Sequence, residues 1–297
     1  MKLRAEAPAK INRELRVGRL RPDGFHEIRS RIVSIDLADS VEVETGDGSL
    51  ALTCTGIPVP ADESNLVARA AKALAERLGR PSADATIRLE KKIPVGAGLG
   101  GGSSDAARAL VLLAELWGSR LSFEDLGALA ASLGSDVPFF LVGGEADVTG
   151  RGEKVRPLPD SPPVDLLVAV PGFSISTAEA YARHRAESGK RASPEEIPSF
   201  EVESSGNYFG PNDLALAVLG IRPEMSILLE SARSLGAEST ITGSGSAVVV
   251  RGAAADAQER LASAFPESRI IRCRTLARQE YRLRTESSGG SQWTSHR

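Results

Sequence analysis

A glycine cluster in the first half of the chain places the strongest constraint on what it can fold into. Glycine occupies five of the seven positions from Gly96 to Gly102, and Ser103 and Ser104 follow directly. Because glycine has no Cβ atom and adopts positive φ, several backbone N–H groups can converge on one bound group. The first turn of a following helix would add roughly half a positive charge. The cluster therefore predicts a loop that binds anionic phosphate, followed by a helix.

Three other glycine or serine motifs fit this segment less well. A Walker A loop needs a lysine, but none stands between residues 93 and 105. Gly96, Gly98 and Gly101 satisfy the dinucleotide-binding pattern, yet two helices, rather than a helix and a strand, are predicted after it. The Gly-x-Ser-x-Gly pattern of serine hydrolases is missing. A flexible hinge, or a helix packed closely on a strand, remains the alternative for this loop taken alone.

The composition is that of an ordinary globular chain of 297 residues with a net charge of −3. No apolar run approaches ~18 residues and the N-terminus has no signal-peptide core, so we expect a cytoplasmic protein without a membrane partner. The two cysteines, Cys54 and Cys273, and the three histidines show no metal-binding spacing. A Mg²⁺ ion held mainly by substrate phosphates stays open, because such an ion needs few protein ligands.

Positive charge is concentrated near the N-terminus. Residues 1–31 contain nine lysines or arginines against four acidic residues, a local charge of +5. This end could face an anionic ligand, but exposed faces of edge strands are the favoured interpretation for most of these arginines, Arg13 and Arg16 among them. No nucleic-acid partner is expected, since the chain as a whole is slightly acidic and no RNA-binding aromatic motif accompanies the basic residues.

Local patterns predict strands and helices along the whole chain. In the first half these are strands within residues 2–54 with a turn at 21–24, a helix from Ser64 to Gly79, a strand over 85–90, a helix from Ala106, and a helix from Ser122 to Gly134. Ser122 and Asp125 have the spacing of a capping box, which marks the start of a helix. Four prolines between Pro157 and Pro163 indicate a linker or a domain boundary.

The second half is predicted to form a layer with the order βαββαβ and extra helices. The predicted strands span 165–170, 239–242, 246–251 and 269–273, and the predicted helices span 178–187, 214–219, 225–235 and 255–264. Residues 286–297 are predicted to be a disordered tail, because they are rich in serine and glycine.

Three segments together carry a resemblance to a known superfamily. They are Pro8-Ala9-Lys10-Ile11-Asn12, the loop from Pro94 to Ser104, and Thr242-Gly243-Ser244-Gly245-Ser246. In this order and spacing they resemble the GHMP superfamily of small-molecule kinases, named for galactokinase, homoserine kinase, mevalonate kinase and phosphomevalonate kinase. Within that superfamily the chain resembles the 4-diphosphocytidyl-2-C-methyl-D-erythritol kinase family, through residues 7–12, 21–26, 134–140, 171–177 and 212–214.

The resemblance implies a fold and an activity. The fold would be α+β in two domains, with residues 1–156 resembling ribosomal protein S5 domain 2, residues 157–285 ferredoxin-like, and the active site in the cleft between them. The activity would be transfer of the ATP γ-phosphate, with Mg²⁺, to the 2-hydroxyl of 4-diphosphocytidyl-2-C-methyl-D-erythritol, a step of non-mevalonate isoprenoid biosynthesis. A small-molecule substrate and a monomer or weak homodimer are expected.

The resemblance also implies a set of site residues. Lys10 and Asp136 match the catalytic residues of the family, and Asn65 and Lys91 match positions that help to hold the nucleoside of ATP. The matched phosphate loop consists of Pro94, Val95, Gly96, Ala97, Gly98, Leu99, Gly100, Gly101, Gly102, Ser103 and Ser104. Asn12, His26 and Thr177 match substrate contacts, and Phe25 and Tyr181 match two aromatic residues that enclose the cytosine. Phe25 stands where the family usually has tyrosine, a change that keeps the stacking face.

The proposed pair suits phosphoryl transfer. A carboxylate at Asp136 could accept the proton of the attacking hydroxyl, and Lys10 could orient it and neutralise the moving phosphoryl group. A base-free reaction driven by Lys10 and Mg²⁺, or a purely helix-capping Asp136, are the alternatives. Replacing Gly101 with valine is expected to weaken nucleotide binding by blocking the approach of the phosphates to the backbone.

Three other interpretations compete with this one. The nearest is another kinase of the same superfamily that acts on mevalonate, homoserine or a similar alcohol. A non-catalytic nucleotide-binding or RNA-binding module on the same fold is a different class, and a nicotinamide oxidoreductase would rest only on the weak dinucleotide-binding pattern. The presence of Lys10 and Asp136 together with an intact glycine loop favours a kinase.

Overall fold

A six-stranded sheet forms the first half of the chain. The computed structural model describes residues 1–188, 207–235 and 238–286. The strands of this sheet are β1 (Lys2–Leu20), β2 (His26–Glu44), β3 (Leu50–Gly56), β4 (Ala85–Lys91), β5 (Glu145–Gly150) and β6 (Lys154–Pro157). Their order is β3-β4-β2-β5-β6, and β1 pairs with β2 along nearly its whole length. The predicted β-rich opening and the strand that begins at Ala85 are confirmed.

Four helices accompany the first sheet. They are α1 (Leu66–Arg77), α2 (Gly101–Leu116), α3 (Phe123–Leu133) and α4 (Val137–Val142). Helices α1, α2 and α4 contact its strands, and α3 packs on these three helices. The Ser122–Asp125 capping box is present, so the predicted start of α3 is confirmed. The predicted cap of α1 is wrong by one residue, because the side chain of Asn65, not that of Ser64, accepts the N–H of Val67.

The second half forms a four-stranded antiparallel sheet with helices on it. The strands are β7 (Asp165–Val170), β8 (Glu238–Ile241), β9 (Val248–Arg251) and β10 (Arg269–Arg274), and their order is β10-β7-β9-β8. The helices α5 (Thr177–Ser188), α6 (Ala215–Ile221), α7 (Glu224–Arg233) and α8 (Ala257–Ala264) lie between these strands in sequence. The predicted order of elements is therefore confirmed. Across the described ranges, every helix is too short or too polar to cross a membrane.

The two sheets share an apolar cluster beneath the glycine loop. It joins Ala9 and Ile11 of β1 and Ala97 and Leu99 of the loop to residues of β7, β9 and β10, such as Val168. All five side chains are at most 1% exposed. Burial of apolar surface on this scale stabilises the contact between the halves by about 25 cal/mol per Å², so the loop is held from below by both sheets.

Helix α9 (Arg278–Thr285) has no counterpart in the sequence prediction and returns to the first half of the structure. Its sequence alternates charged and apolar residues without a helical stripe, which is why the pattern missed it. Tyr281 packs over Gly143, where no Cβ would fit, and its hydroxyl donates to the Phe140 carbonyl at 2.6 Å. Strands β5 and β6 were missed as well, because both are short and β6 ends in proline. Of the predicted tail, residues 287–297 lie outside the described residues.

The prediction that Arg13 and Arg16 lie on an exposed strand face is wrong. Their side chains are only 14% and 12% exposed. Arg13 pairs with Glu145 and covers the Tyr208 ring at 4.0 Å, and Arg16 pairs with Asp213 at 3.3 Å. Arg16 also pairs with Glu14 at 3.1 Å, but Glu145 and Asp213 stand far along the chain, so sequence spacing cannot indicate these partners.

We expect Tyr281→Phe to lower the free energy of unfolding by about 1–3 kcal/mol, measured by urea denaturation. The substitution leaves the buried Phe140 carbonyl without its donor and removes an acceptor, at 3.4 Å, of the buried Arg108 guanidinium. Leu283→Ala on the same helix is the control, because Leu283 is 65% exposed and its truncation should change stability by less than ~0.5 kcal/mol. Equal stabilities of the Tyr281→Phe variant and the parent would contradict this account of α9.

Candidate functional site

A cleft of about 560 Å³ brings the predicted site residues of both halves together. Of the predicted residues, those that line it are Lys10, Asn12, Phe25, His26, Gly98, Gly100, Ser103, Asp136, Thr177 and Tyr181. Asn65 and Lys91 are not among its lining residues. One space is thus surrounded by residues of β1, of the glycine loop and of α5, by Asp136 just before α4, and by the segment 242–246, called the second glycine turn.

The glycine loop is held in place by backbone hydrogen bonds on both sides. The carbonyl of Leu99 accepts the N–H of Lys10 at 3.0 Å, and that of Ala97 accepts the N–H of Ala247 at 3.1 Å. Gly98 has φ +77°, and a Cβ at this position would lie 2.4 Å from the Thr242 carbonyl oxygen. The loop is therefore a fixed structure and not a hinge. It ends at α2, whose first N–H groups have no partner within the helix.

Lys10 and Asp136 lie side by side where the loop meets β1. The Lys10 ammonium is buried and donates to Asn12 Oδ1 at 2.6 Å, and it lies 3.5 Å from Asp136 Oδ2. Asp136 occupies the N-cap position of α4, but its side chain makes no capping hydrogen bond and is 35% exposed. The capping alternative for Asp136 is thus excluded, and its carboxylate is accessible from the cleft.

Asn12 connects this pair to the rest of the fold. Its backbone N–H donates to Thr242 Oγ1 at 2.8 Å, and its Nδ2 donates to Ser30 Oγ at 2.7 Å. Ser30 in turn donates to the Glu14 carbonyl at 2.6 Å, which fixes the direction of the chain of hydrogen bonds. The Asn12 oxygen must therefore face Lys10, so in this structure Asn12 orients the lysine. Its predicted contact with substrate stays a prediction.

The other end of the cleft is aromatic. His26 stacks on Tyr181 with ring centroids 5.7 Å apart, and its Nδ1 lies 2.9 Å from the Gly18 carbonyl. A carbonyl partner requires a proton on Nδ1, which leaves Nε2 as a buried acceptor without a partner in the described residues. Phe25 is half-exposed, and the Arg151 guanidinium lies 5.0 Å from its ring centroid.

The side chain of Tyr181 lies against His26 and within the electrostatic influence of Asp136. Burial and the negative charge of Asp136 raise the pKa of the Tyr181 hydroxyl, so this group stays neutral. Both predicted aromatic residues line the cleft, but one face of Tyr181 is already covered by His26. Enclosure of a cytosine between Phe25 and Tyr181 stays a prediction.

Asn65 and Lys91 are used within the fold. Asn65 caps α1 and donates to the Pro60 carbonyl at 2.7 Å. The Lys91 ammonium is buried between Asp39 and Asp105, 2.7 Å from the latter. Burial raises the pKa of Asp105 well above its usual range, whereas for Lys91 the two carboxylates outweigh burial and raise the lysine pKa. The predicted roles of Asn65 and Lys91 in holding a nucleoside stay predictions.

The remaining loop residues divide between the cleft and the interior. Ser103 lines the cleft, whereas Ser104 is buried and donates to the Pro8 carbonyl at 2.7 Å. Val95 is 57% exposed at the start of the loop. A Cβ at Gly101 would lie 2.9 Å from Ile93 Cγ2, so a valine there would disturb packing. The expectation that it would weaken nucleotide binding stays a prediction, and this internal contact adds a second reason for an effect.

Several site residues were not predicted from the sequence. Thr177 was predicted as a site residue, but Ser244 of the second glycine turn, its hydrogen-bond partner at 2.9 Å, was not. Asn212 donates to the carbonyls of Ile241 and Gly243 and so shapes that turn. Its place in the Asn212-Asp213-Leu214 motif was a signal, although the motif did not indicate this role. Arg151 and Arg185, which also line the cleft, carried no sequence signal.

We expect Gly98→Ala to reduce kcat/KM for the nucleotide by roughly 10²-fold. The added Cβ would collide with the Thr242 carbonyl, so the loop must move away, and a small misplacement of the bound phosphates slows the reaction strongly. Both the positive φ and the Thr242 carbonyl oppose a side chain at Gly98. Gly127→Ala is the matched control, since Gly127 lies in α3, outside the loop, and nothing stands within 4 Å of the Cβ that alanine would add. Steady-state kinetics and calorimetric titration with ATP measure the effect. Unchanged constants for Gly98→Ala would refute the role of this close approach.

Comparisons with known proteins agree with this geometry. The family described as GHMP kinases N terminal domain matches residues 65–144. The 4-diphosphocytidyl-2-C-methyl-D-erythritol kinase of Salinispora arenicola is 39% identical over 290 residues, which cover 93% of this chain and 91% of that protein. A crystal structure of 4-(cytidine 5'-diphospho)-2C-methyl-D-erythritol kinase superposes with a TM-score of 0.73 at 36% identity, covering 92% of this chain and 98% of the other.

A more distant structure shares the fold alone. Homoserine kinase from Cytophaga hutchinsonii superposes with a TM-score of 0.68 at 20% identity, covering 94% of this chain and 96% of that chain. The mixed α/β fold is therefore that of the GHMP kinases. By its identity to relatives over nearly its whole length, the chain belongs to the 4-diphosphocytidyl-2-C-methyl-D-erythritol kinase family.

Proposed function

We propose that this protein transfers the γ-phosphate of ATP to the 2-hydroxyl of 4-diphosphocytidyl-2-C-methyl-D-erythritol. The products are the 2-phosphate and ADP, and the step belongs to isoprenoid precursor biosynthesis. The observation that carries the proposal is the contact of Lys10 with Asp136, 3.5 Å apart, at the edge of a fixed glycine loop. A relative that matches 93% of this chain bears the name of this kinase.

Asp136 is the proposed base of the reaction. A hydroxyl is a poor nucleophile at neutral pH, and a carboxylate that accepts its proton accelerates the attack by ~10²–10⁴-fold. Asp136 is suited to this role because its side chain is accessible and not used as a helix cap. Its position as the N-cap residue of α4, with Pro138 in the first turn, fixes its backbone.

Lys10 is proposed to stabilise charge on the moving phosphoryl group. The transition state of phosphoryl transfer is loose, so its stabilisation depends on fixed electrostatics more than on covalent chemistry. Asn12 holds the Lys10 ammonium, and Thr242 and Ser30 hold Asn12, so the charge needs little reorganisation during the reaction. If the reaction proceeds without a base, this preorganised lysine carries a larger share of catalysis.

Mg²⁺ is proposed as the metal of the reaction. In the described ranges, no group of three or more acidic, histidine or cysteine side chains is arranged to hold a metal ion. The cleft offers one carboxylate, Asp136, and one hydroxyl at the start of α2, Ser103, which fits an ion bound mainly by phosphates. When bound, the ion would neutralise phosphate charge, and Ser103 would be its protein ligand, which leaves Asp136 free to accept the proton.

The aromatic end of the cleft is proposed to bind the cytosine. His26 presents Nε2 as an unpartnered acceptor, and cytosine carries an exocyclic amino donor. Phe25 provides an accessible ring face for stacking. This combination of one acceptor and an aromatic surface favours a cytidylyl substrate over mevalonate or homoserine, which have no base to stack.

The remaining expectations also belong to this proposal. We infer two domains, residues 1–156 resembling ribosomal protein S5 domain 2 and residues 157–285 ferredoxin-like, because Pro157 ends the first sheet and Asp165 begins the second. The contacts of α9 with Phe140 show that the last helix would cross that boundary. A cytoplasmic monomer or weak homodimer without a nucleic-acid or membrane partner is proposed, with Cys54 and Cys273 as free thiols.

Release of ADP from ATP in the presence of different alcohols tests the proposed function. We expect rapid release with 4-diphosphocytidyl-2-C-methyl-D-erythritol and little with mevalonate or homoserine. Activity with mevalonate or homoserine instead would favour a different kinase of the superfamily. No release with any alcohol, despite ATP binding, would favour the non-catalytic alternative, and binding of NAD without ATP would favour the oxidoreductase.

We expect Asp136→Asn to lower turnover by at least ~10²-fold while ATP affinity stays within a few-fold. The amide keeps the shape of the carboxylate but cannot accept the proton. Turnover is followed by ADP release and affinity by calorimetry. Asp256→Asn, a change at a surface carboxylate that is 60% exposed, should leave both constants unchanged. A turnover close to that of the parent would remove Asp136 from the role of base.

A further inference from the structure

The proposed substrate has a charge that the residues considered so far do not balance. Its diphosphate lies between the cytosine and the methylerythritol unit and is strongly negative. Lys10 already faces Asp136 and Asn12, and it serves the phosphoryl group that is transferred. A diphosphate that crosses the cleft would therefore need other cations, because an uncompensated charge close to Asp136 is unfavourable.

Arg185 is a cation of the cleft that is available for this purpose. It lies on α5 four residues after Tyr181, so both side chains project from the same face of the helix, and both line the cleft. Among the described residues it has neither a hydrogen bond nor an ion pair. Arg183 differs from it on the same helix, since its guanidinium is bound to Glu187 at 2.5 Å and it does not line the cleft.

Arg151 is the second cation of the cleft. Its Nη2 donates to the Ala131 carbonyl at 2.6 Å, and its guanidinium rests on the Phe25 ring. Within the described ranges no carboxylate forms an ion pair with this guanidinium, although the Phe25 N–H and then the charge of this guanidinium contribute to lowering the pKa of the nearby Asp23, which pairs with Arg21. The guanidinium keeps further donors, since only one of its nitrogens is used by Ala131. Each of the two aromatic residues proposed to bind the base therefore has an arginine near it.

We propose that Arg185, together with Arg151, binds the diphosphate of the cytidylyl substrate and so selects substrates that carry one. The inference rests on the proposed function, which supplies the diphosphate. A planar guanidinium matches phosphate oxygens with two parallel donors, and the two arginines approach from α5 and from the β5–β6 turn. A diphosphate bound by both arginines would leave the methylerythritol end to reach Lys10 and Asp136, which line the same cleft.

Calorimetric titration with cytidine diphosphate and with cytidine tests this pair. A saturating nonhydrolysable ATP analogue fills the nucleotide site in every titration, so that the cytidine compounds report on the other end of the cleft. We expect the parent to bind cytidine diphosphate at least ~10-fold more tightly than cytidine. Arg185→Gln should weaken the binding of cytidine diphosphate by roughly 10-fold and leave the affinity for cytidine within about 2-fold of the parent, because only the charge-assisted hydrogen bonds to phosphate are lost.

Two further variants separate charge from structure. Arg183→Gln is the matched control and should bind both compounds as the parent does, since Arg183 points to Glu187. Arg185→Lys should recover part of the lost affinity, because it keeps the charge without the planar donors. In steady-state kinetics Arg185→Gln should raise KM for the cytidylyl substrate and leave kcat within about 2-fold, and higher salt should reduce the difference from the parent.

The outcomes distinguish this inference from the proposed function. Parent protein that releases ADP with the cytidylyl substrate but binds cytidine and cytidine diphosphate equally would overturn the role of the arginines and leave the kinase assignment intact. If Arg185→Gln weakened the binding of cytidine and of cytidine diphosphate equally, the role of the arginines would likewise be overturned. Absence of ADP release together with absence of any cytidine binding would refute the proposed function itself.

Discussion

The close contact between two glycine turns is the constraint on which the rest of the site depends. Gly98 of the first turn has room only for a hydrogen atom opposite the Thr242 carbonyl. On either side of it, the carbonyl of Ala97 accepts the N–H of Ala247, just before β9, and the carbonyl of Leu99 accepts the N–H of Lys10 in β1. Strand β1 is thereby held between both turns, and it carries Lys10 and Asn12 into the cleft. Such backbone contacts leave little freedom for the positions of Lys10 and Asn12, and electrostatic stabilisation of a transition state requires charges that are fixed in place.

Buried charge is compensated in the same way, by partners from distant parts of the chain. Lys91 at the end of β4 binds Asp39 of β2 and Asp105 of α2, so one ion-pair cluster fastens the sheet to the helix that follows the loop. Arg31 makes two hydrogen bonds to Asp147 of the neighbouring strand. Charges that leave water are stabilised only when such partners are present, so these clusters specify how the elements meet. Arg185, near the mouth of the cleft, has no such compensation among the described residues.

Predictions from the sequence succeeded where the signal was local. The Ser122–Asp125 capping box, the turn at Gly24 and the full length of β7 follow from interactions within a few residues. They failed where stability came from elsewhere: α9 has no apolar stripe and exists because Tyr281 packs over Gly143. In the site, the glycine loop, Lys10 and Asp136 were indicated by motifs. The segment of Thr242 and Ser244 was indicated too, but their contacts with Asn12 and Thr177 were not, and Arg185 had no signal, because these roles arise only from what lies opposite them.

The sequence by itself determined the chemistry available to this protein: a glycine-rich phosphate loop, a lysine, a carboxylate and a few aromatic side chains, with a family resemblance that comparison bears out. Only the tertiary structure decided the state of those groups. It placed Asp136 beside Lys10 without a capping bond, turned Asn12 toward the lysine, and enclosed Lys91 between two carboxylates. The physical reason is that hydrogen bonding and ionisation depend on distance and burial in three dimensions, and residues such as Asn12 and Thr242 meet only after both sheets have packed.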